Sequence, residues 1–386
     1  MAAINTNALM KPGVLVIWEA NGQYPGDPAS TTVGGMTIPL IDESHYQAQM
    51  DTVVMPALRQ CSTEGWMDPA QAPGLDKPAK EGKLHYVCYD AKEFDKLNIE
   101  GATAMFNGAI VISHGFTEFA TKYSEMIWYF LLAGYSVCFL EHRGHGRSVR
   151  DIDNPSLVWI DDWHRYVADL NKFAFEVGRE YAGGRPLFLY SHSMGGGIGA
   201  ALLETYPDTF DRAVLSSPMI APQTGMPNWI AYLLSSLMCA CGLGKHIVFG
   251  QSEFTPELDM NDYPGACEAR VRWYQQQRID DPHNQTYAAT FEWVRQSLKL
   301  SHAVQKPQAC ANIDTPLLLF QAGHDQWVLN EAQNRFIHWV RNAGGNAELV
   351  RVPNSLHEIF SMPNEILGTY LERILAFYAD ADELDH

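Results

Sequence analysis

The run Pro186-Leu187-Phe188-Leu189-Tyr190 leads directly into Ser191-His192-Ser193-Met194-Gly195-Gly196 and then into a stretch of small residues. An apolar strand that turns this abruptly into a glycine-rich helix constrains the fold more than any other feature of the chain. The turn lifts one hydroxyl, that of Ser193, to the carboxyl edge of a sheet and aims the next backbone N–H groups at the same point. Such a geometry suits acyl transfer. Two other readings of the segment stand beside it. Ser193 could cap the helix while the glycines admit close helix–strand packing. Gly195, Gly197 and Ala200 also spell a dinucleotide-binding turn. That turn belongs after a first strand and is matched by an acidic residue ending the next one. Here two strand-like runs come earlier, and the following strand ends Ser216-Ser217-Pro218.

Strand-like runs recur at Ala109–Ser113, Tyr135–Leu140, Pro186–Tyr190, Arg212–Ser216, Pro316–Gln321 and Ala347–Val352, with helical patterns between them. This alternation predicts an α/β fold with a mostly parallel central sheet flanked by helices. The runs are continuously apolar, as strands covered on both faces are. Lys83–Tyr89 alternates and reads as an antiparallel early strand. Between Pro218 and about Pro307 the rhythm stops and Trp, Tyr and Arg accumulate, which predicts an inserted helical cap. In it Tyr287, Phe291, Val294 and Leu298 form a packed stripe opposite a wet face with Glu292, Arg295, Gln296 and Lys299. Met226–Cys241 is almost wholly apolar but shorter than the ~20 residues that span a bilayer. It reads as a core helix or as a lid helix whose outer face meets lipid or an acyl chain. The resulting division is a loop-rich extension at 1–82, core at 83–217, cap at 218–310 and core again at 311–386, ending in an acidic, fraying tail.

A serine hydroxyl needs an imidazole to take its proton and a carboxylate to orient that imidazole. Both arrive at later strand ends. Pro316–Gln321 runs into Ala322-Gly323-His324-Asp325, and Ala347–Val352 runs into Pro353-Asn354-Ser355-Leu356-His357. Asp325 read alone could be a helix cap, and His357 alone a buried structural histidine. In the order Ser193, Asp325, His357 they make a triad. The N–H of Met194 and that of Phe116, in Ser113-His114-Gly115-Phe116, are the oxyanion donors. The loop Glu141–Ser148 reads as a buttress for the elbow. His357-Glu358 lacks the second histidine of a zinc motif, and Cys239 and Cys241 lack a partner pair, so no metal is implied.

Charge narrows the partners. With 27 Lys+Arg against 45 Asp+Glu the net charge is -18, which disfavours nucleic acid and anionic membranes. Seven cysteines without a framework read as reduced, mostly buried thiols. Near the start, Lys11 is followed only by the apolar patch Val14–Trp18 and then by Glu19, Asn21 and Gln23, so no secretory signal is read and a cytoplasmic location is expected.

Taken together, His114-Gly115, Arg143-Gly144-His145-Gly146-Arg147-Ser148, His192-Ser193-Met194-Gly195-Gly196, Gly323-His324-Asp325 and His357-Glu358-Ile359 resemble the α/β-hydrolase superfamily. Within it they are similar to the lysophospholipase L2 and monoacylglycerol lipase group, over roughly Lys83 to Tyr378. Tyr274, Asp280-Asp281-Pro282 and Thr290–Ser297 in the cap look like the lysophospholipase L2 branch. Ser191 stands where the superfamily usually has glycine. The resemblance implies a serine-dependent carboxylic-ester hydrolase that releases a fatty acid from a lysophospholipid or monoacylglycerol through an acyl-enzyme. It needs no cofactor, and the cap would be its surface for transient membrane or micelle contact. Arg270, Arg272 and Arg278 read as solvated cap surface that could also meet a phosphate, and Trp273 as a residue that could meet a choline ammonium. A carboxylesterase or thioesterase for short or aromatic acyl groups shares the chemistry. A catalytically silent ligand-binding fold is the alternative of another class.

Overall fold

Eight strands form one sheet in the computed structural model, which describes residues 29–33, 35–77 and 80–381. They are β1 (Ser62–Met67), β2 (Leu84–Tyr89), β3 (Gly108–Ser113), β4 (Tyr135–Leu140), β5 (Leu187–His192), β6 (Arg212–Ser216), β7 (Leu317–His324) and β8 (Ala347–Leu356). Their spatial order is β8-β7-β6-β5-β3-β4-β2-β1. Pairing is parallel from β8 through to β4 and antiparallel for β2 on β4 and β1 on β2. The central strands β3, β4 and β5 are buried throughout. Along β5, Phe188 and Tyr190 enter one apolar layer while Leu187 and Leu189 enter the other, as expected for a sheet with helices on both faces.

Strand order reverses at β3, which has β4 on one side and β5 on the other. The chains leaving β3 and β5 therefore part at their carboxyl ends and open a crevice, the place where open α/β sheets carry their ligand sites. Ser113 pairs with Ser191 and His192 with Ser216 across these strands, so the loop after β3 and the turn after β5 lie side by side.

The principal helices are α1 (Ser124–Leu132), α2 (His164–Phe173), α3 (Ser193–Thr205), α4 (Asn228–Ala240), α5 (Glu268–Asp280), α6 (Phe291–Val304), α7 (Asn330–Asn342) and α8 (Asn364–Ala379). Three of them, α4 to α6, lie between β6 and β7. In that stretch α6 packs on α3 and α4 packs on α6.

Several expectations need correction. The extension is less loop-rich than its composition suggests. Ser30–Val33 pairs with Met36–Pro39 as a hairpin, helical turns run from Tyr46 to Cys61, and β1 closes the sheet edge. The helical stretch buries Tyr46, Met50, Val54, Ala57, Leu58 and Cys61, a helical spacing. β1 keeps its central residues largely exposed because it is an edge strand with one partner, so its sequence carries few apolar residues. Pro25–Pro28, the patch Val14–Trp18 and most of the acidic tail lie outside the described residues. The predicted wet face of α6 is also wrong in part. Glu292 and Gln296 are buried, with Gln296 donating to Glu292 and to the carbonyl of Asp161, and Arg295 paired to Glu292. Polar residues here fasten the helix instead of facing water.

Arg270 and Arg278 are not solvated. Arg270 is 3% exposed and donates to both carboxylate oxygens of Glu125 at 2.8 Å, to Glu43 and to Asn364. Its charge is consumed inside the protein, which removes it as a phosphate ligand. Arg278 is buried and donates to the carbonyl of Thr117. Trp273 is likewise buried, its indole N–H on Asp51. Arg272 is the one of the three that remains at the surface, beside Glu268.

One buried carboxyl has a measurable consequence for stability. Glu204, near the end of α3, meets the Cys310 thiol at 3.7 Å, and burial pushes its carboxyl up to about 8 from an ordinary value of 4.5. The folded chain then keeps a proton that the unfolded chain releases across that interval. Stability is full below the ordinary carboxylate range and falls as the pH rises towards 8. Glu204→Gln removes the ionisation. We expect equal stability of variant and parent near pH 4 and a gain for the variant on the order of 3 kcal/mol at pH 8, read by urea unfolding at the two pH values.

Candidate active site

Ser193 opens α3 with φ of 51°. Left-handed backbone at a non-glycine residue carries strain of order 1–3 kcal/mol and persists where the surroundings over-determine it. Here the surroundings are the strand behind it and Gly195. A Cβ on Gly195 would stand 2.1 Å from the carbonyl oxygen of Ser113, so only glycine lets α3 approach the end of β3. Ser191 fits the turn as well, because its hydroxyl donates to the carbonyl of Val214 at 3.1 Å.

The remaining predicted residues converge on that hydroxyl. His357 Nε2 lies 2.8 Å from Ser193 Oγ, and His357 Nδ1 lies 2.8 Å from Asp325 Oδ2. The other oxygen of Asp325 accepts from the backbone N–H groups of Trp327 and Val328 at 2.9 and 3.0 Å. One oxygen of Asp325 therefore fastens the turn ahead of α7, which begins at Asn330 with Leu329 as its N-cap and takes no side-chain cap, and the other faces the imidazole. Its side chain is fully buried, which strengthens its hold on the imidazole. His324, its neighbour, is exposed.

Met194 occupies the first turn of α3, where backbone N–H groups have no intrahelical acceptor. Phe116 lies in the turn after β3. Among the described residues no hydrogen bond within the chain engages its N–H. The Phe116 ring packs on Trp293 of α6 with centroids 4.1 Å apart and on His145 at 6.1 Å, so α6 stands on the loop beside the nucleophile.

The loop Glu141–Ser148 is fastened by buried charges and hydrogen bonds. Arg143 makes a buried ion pair with Asp169 at 2.7 Å, Glu141 accepts from the N–H of Arg147, and the N–H of His142 donates to His114 Nε2. His114, His142 and His145 are buried together, and burial lowers the pKa of each. They stay neutral as packing and hydrogen-bonding groups.

Reading the sequence missed a charged cluster under the site. Glu118, Lys122 and Glu358 are linked through Lys122, which lies 2.9 Å from Glu118 and closer still to Glu358. Glu118 and Lys122 stand four residues apart, the spacing of a helical ion pair, and that was the available signal.

Residues 105–364 match the family model described as "Serine aminopeptidase, S33" (Hydrolase_4). The chain belongs to this family. It is a serine hydrolase with the α/β-hydrolase fold, which sets aside the silent ligand-binding alternative. The chain is similar to lysophospholipase L2 of Escherichia coli strain K12, 29% identical over 82% of this chain and 89% of that protein. It is 26% identical to a monoacylglycerol lipase of Mycolicibacterium smegmatis over 67% of this chain and 84% of the relative. A solved monoglyceride lipase of Saccharomyces cerevisiae shares the fold, with a TM-score of 0.60, 18% identity and coverage of 82% of this chain and 96% of that one. A thermostable carboxyl esterase of Bacillus coagulans shares it with a TM-score of 0.64, 16% identity and coverage of 83% and 99%.

Proposed function

We propose that this serine hydrolase cleaves the ester of a single-chain acyl lipid, a lysophospholipid or a monoacylglycerol, through an acyl-enzyme on Ser193. The observation that carries the reading is the unbroken chain from Asp325 through His357 to Ser193, with 2.8 Å at each step, at the strand-order reversal and beneath an apolar cap. Ser193 Oγ attacks the ester carbonyl carbon while His357 Nε2 takes its proton. The oxyanion is held by the N–H groups of Met194 and Phe116. Collapse expels the glycerol or glycerophosphodiester oxygen, which takes the proton from His357. Water then gives a proton to His357 and attacks the acyl carbon, and the fatty acid leaves as Ser193 regains its proton. Asp325 stays ionised throughout and stabilises the imidazolium.

The lipid half of the reading rests on α4. Its inward residues Ala231 and Ser235 are small and buried, whereas Trp229, Leu233 and Leu237 are 67, 58 and 60% exposed. A core helix would show the reverse, which supports the lid reading of Met226–Cys241 over the core one. The large outward residues fit acyl chains or the interface of neutral and zwitterionic lipids, which the charge of -18 does not repel. No described helix is long and apolar enough to cross a membrane.

A substrate series tests the assignment. Monoacylglycerols, lysophosphatidylcholines and p-nitrophenyl esters of rising chain length are expected to be hydrolysed faster as the chain lengthens, and a preference for acetyl esters would overturn the lipid reading. For the cap, Leu233→Ser combined with Leu237→Ser is expected to cut activity on vesicle-borne monoacylglycerol by about tenfold and to leave hydrolysis of dissolved p-nitrophenyl butyrate unchanged. Equal loss on both substrates would assign α4 to folding and not to lipid contact.

A further inference from the structure

His192 ends β5 and is 1% exposed. Its Nδ1 lies 3.2 Å from Glu118 Oε2, and its Nε2 lies 3.3 Å from the main-chain carbonyl oxygen of His357. Both partners only accept. A neutral imidazole has one N–H and can satisfy one of them, so two such bonds require both nitrogens to be protonated.

We propose that His192 is held as an imidazolium beneath the elbow and forms with Glu118 a positioning pair that fixes the oxyanion loop and the general base relative to the nucleophile. This rests on the roles given above to Ser193, His357 and Phe116.

The same oxygen of Glu118 that receives His192 also accepts from the N–H of Gly115 and the hydroxyl of Tyr123. The Phe116 N–H shares its peptide plane with the carbonyl of Gly115, which accepts from the N–H of Glu118 at 3.4 Å and from His114 Nδ1 at 2.8 Å, so Glu118 holds the peptides on both sides of Gly115. Glu118 Oε1 pairs with Lys122, and Lys122 pairs with Glu358, the residue after His357. Glu358 also accepts from Ser361 Oγ at 3.1 Å. Glu118 therefore joins the loop after β3 directly to the elbow after β5, and through Lys122 and His192 it is tied to the loop after β8.

The charges facing His192 are the carboxylates of Glu118 and Glu358 and the ammonium of Lys122. Arg278 adds a cation at the edge of the cluster through its bond to Thr117. The His357 ring lies 4.9 Å away, centroid to centroid. Burial disfavours a charge on His192, but the Glu118 carboxylate, joined by that of Glu358, more than offsets it and raises the imidazole above its ordinary value. Burial opposes ionisation of Glu118 as well, and Lys122 and His192 hold it well below the carboxylate range. With the brace intact, neither the donor nor the base can drift. A displacement of about 1 Å in such groups costs about 10²-fold in rate.

Neutron diffraction from perdeuterated crystals at pH 8 reads the ring directly. Deuterium on both nitrogens of His192 is the expected result, and a bare nitrogen overturns the proposal. In solution, Glu118→Gln is expected to lower kcat by about 10²-fold with KM changed less than about threefold, and an unchanged kcat overturns the positioning role. If that variant fails to fold, the diffraction experiment on the wild-type protein decides alone. Failure of the proposal is distinguishable from failure of the triad reading. In the first case wild-type protein still reacts with a fluorophosphonate at Ser193, and in the second it does not.

Discussion

Ser193→Ala is expected to reduce kcat on a long-chain monoacylglycerol by about 10⁶-fold, the scale on which triad serines contribute when the rest of the site is left in place. The fold should survive the change. The hydroxyl is 2.8 Å from His357 Nε2 and is lost, while the left-handed backbone at 51° and the packing of Gly195 against Ser113 are untouched. Alanine takes that φ at a cost close to that of serine, so the melting temperature is expected to stay within a few degrees of the parent. Steady-state hydrolysis read beside thermal unfolding checks both statements. Activity within tenfold of the parent would remove Ser193 from the nucleophile position.

Asp325→Asn is expected to cost about 10⁴-fold in kcat through a tautomer switch alone. Asparagine can keep its oxygen on the N–H groups of Trp327 and Val328, which preserves the turn after β7. The amide nitrogen then faces His357 Nδ1 where Oδ2 stood at 2.8 Å. A donor there requires Nδ1 to be the bare nitrogen, so the proton moves to Nε2 and the ring can no longer accept from Ser193. The loss is expected in kcat with little change in KM. An equal loss accompanied by a collapse of thermal stability would assign Asp325 to holding the turn.

Much of this arrangement was legible before any coordinates. Strand-to-loop transitions announce themselves when a β-branched or aromatic run meets glycine, histidine or proline, and for this reason Ser193, Asp325 and His357 could be read together. The sheet strands were legible because burial on both faces leaves them continuously apolar. β1 was not, since an edge strand with solvent on one side carries Thr63, Glu64 and Gly65 like a loop. Arg270, Arg278 and Glu292 were misread as surface for a related reason. A charged side chain looks the same in sequence whether water or a buried partner receives it, and the partners of Arg270, Glu43 and Glu125, stand 227 and 145 residues away. Of His192, sequence gives only the place beside the nucleophile. That both its nitrogens face acceptors is a fact of three loops meeting, and no single segment carries it.

The central claim is that one hydroxyl, that of Ser193, becomes nucleophilic because Asp325 and His357 reach it. Reaction of the wild-type protein with a fluorophosphonate, followed by peptide mass mapping, tests this most directly. The adduct is predicted on the peptide carrying Ser193 and on no other serine, with labelling slowed in Asp325→Asn. An adduct on a different residue, or an active enzyme that takes up no label, would contradict it.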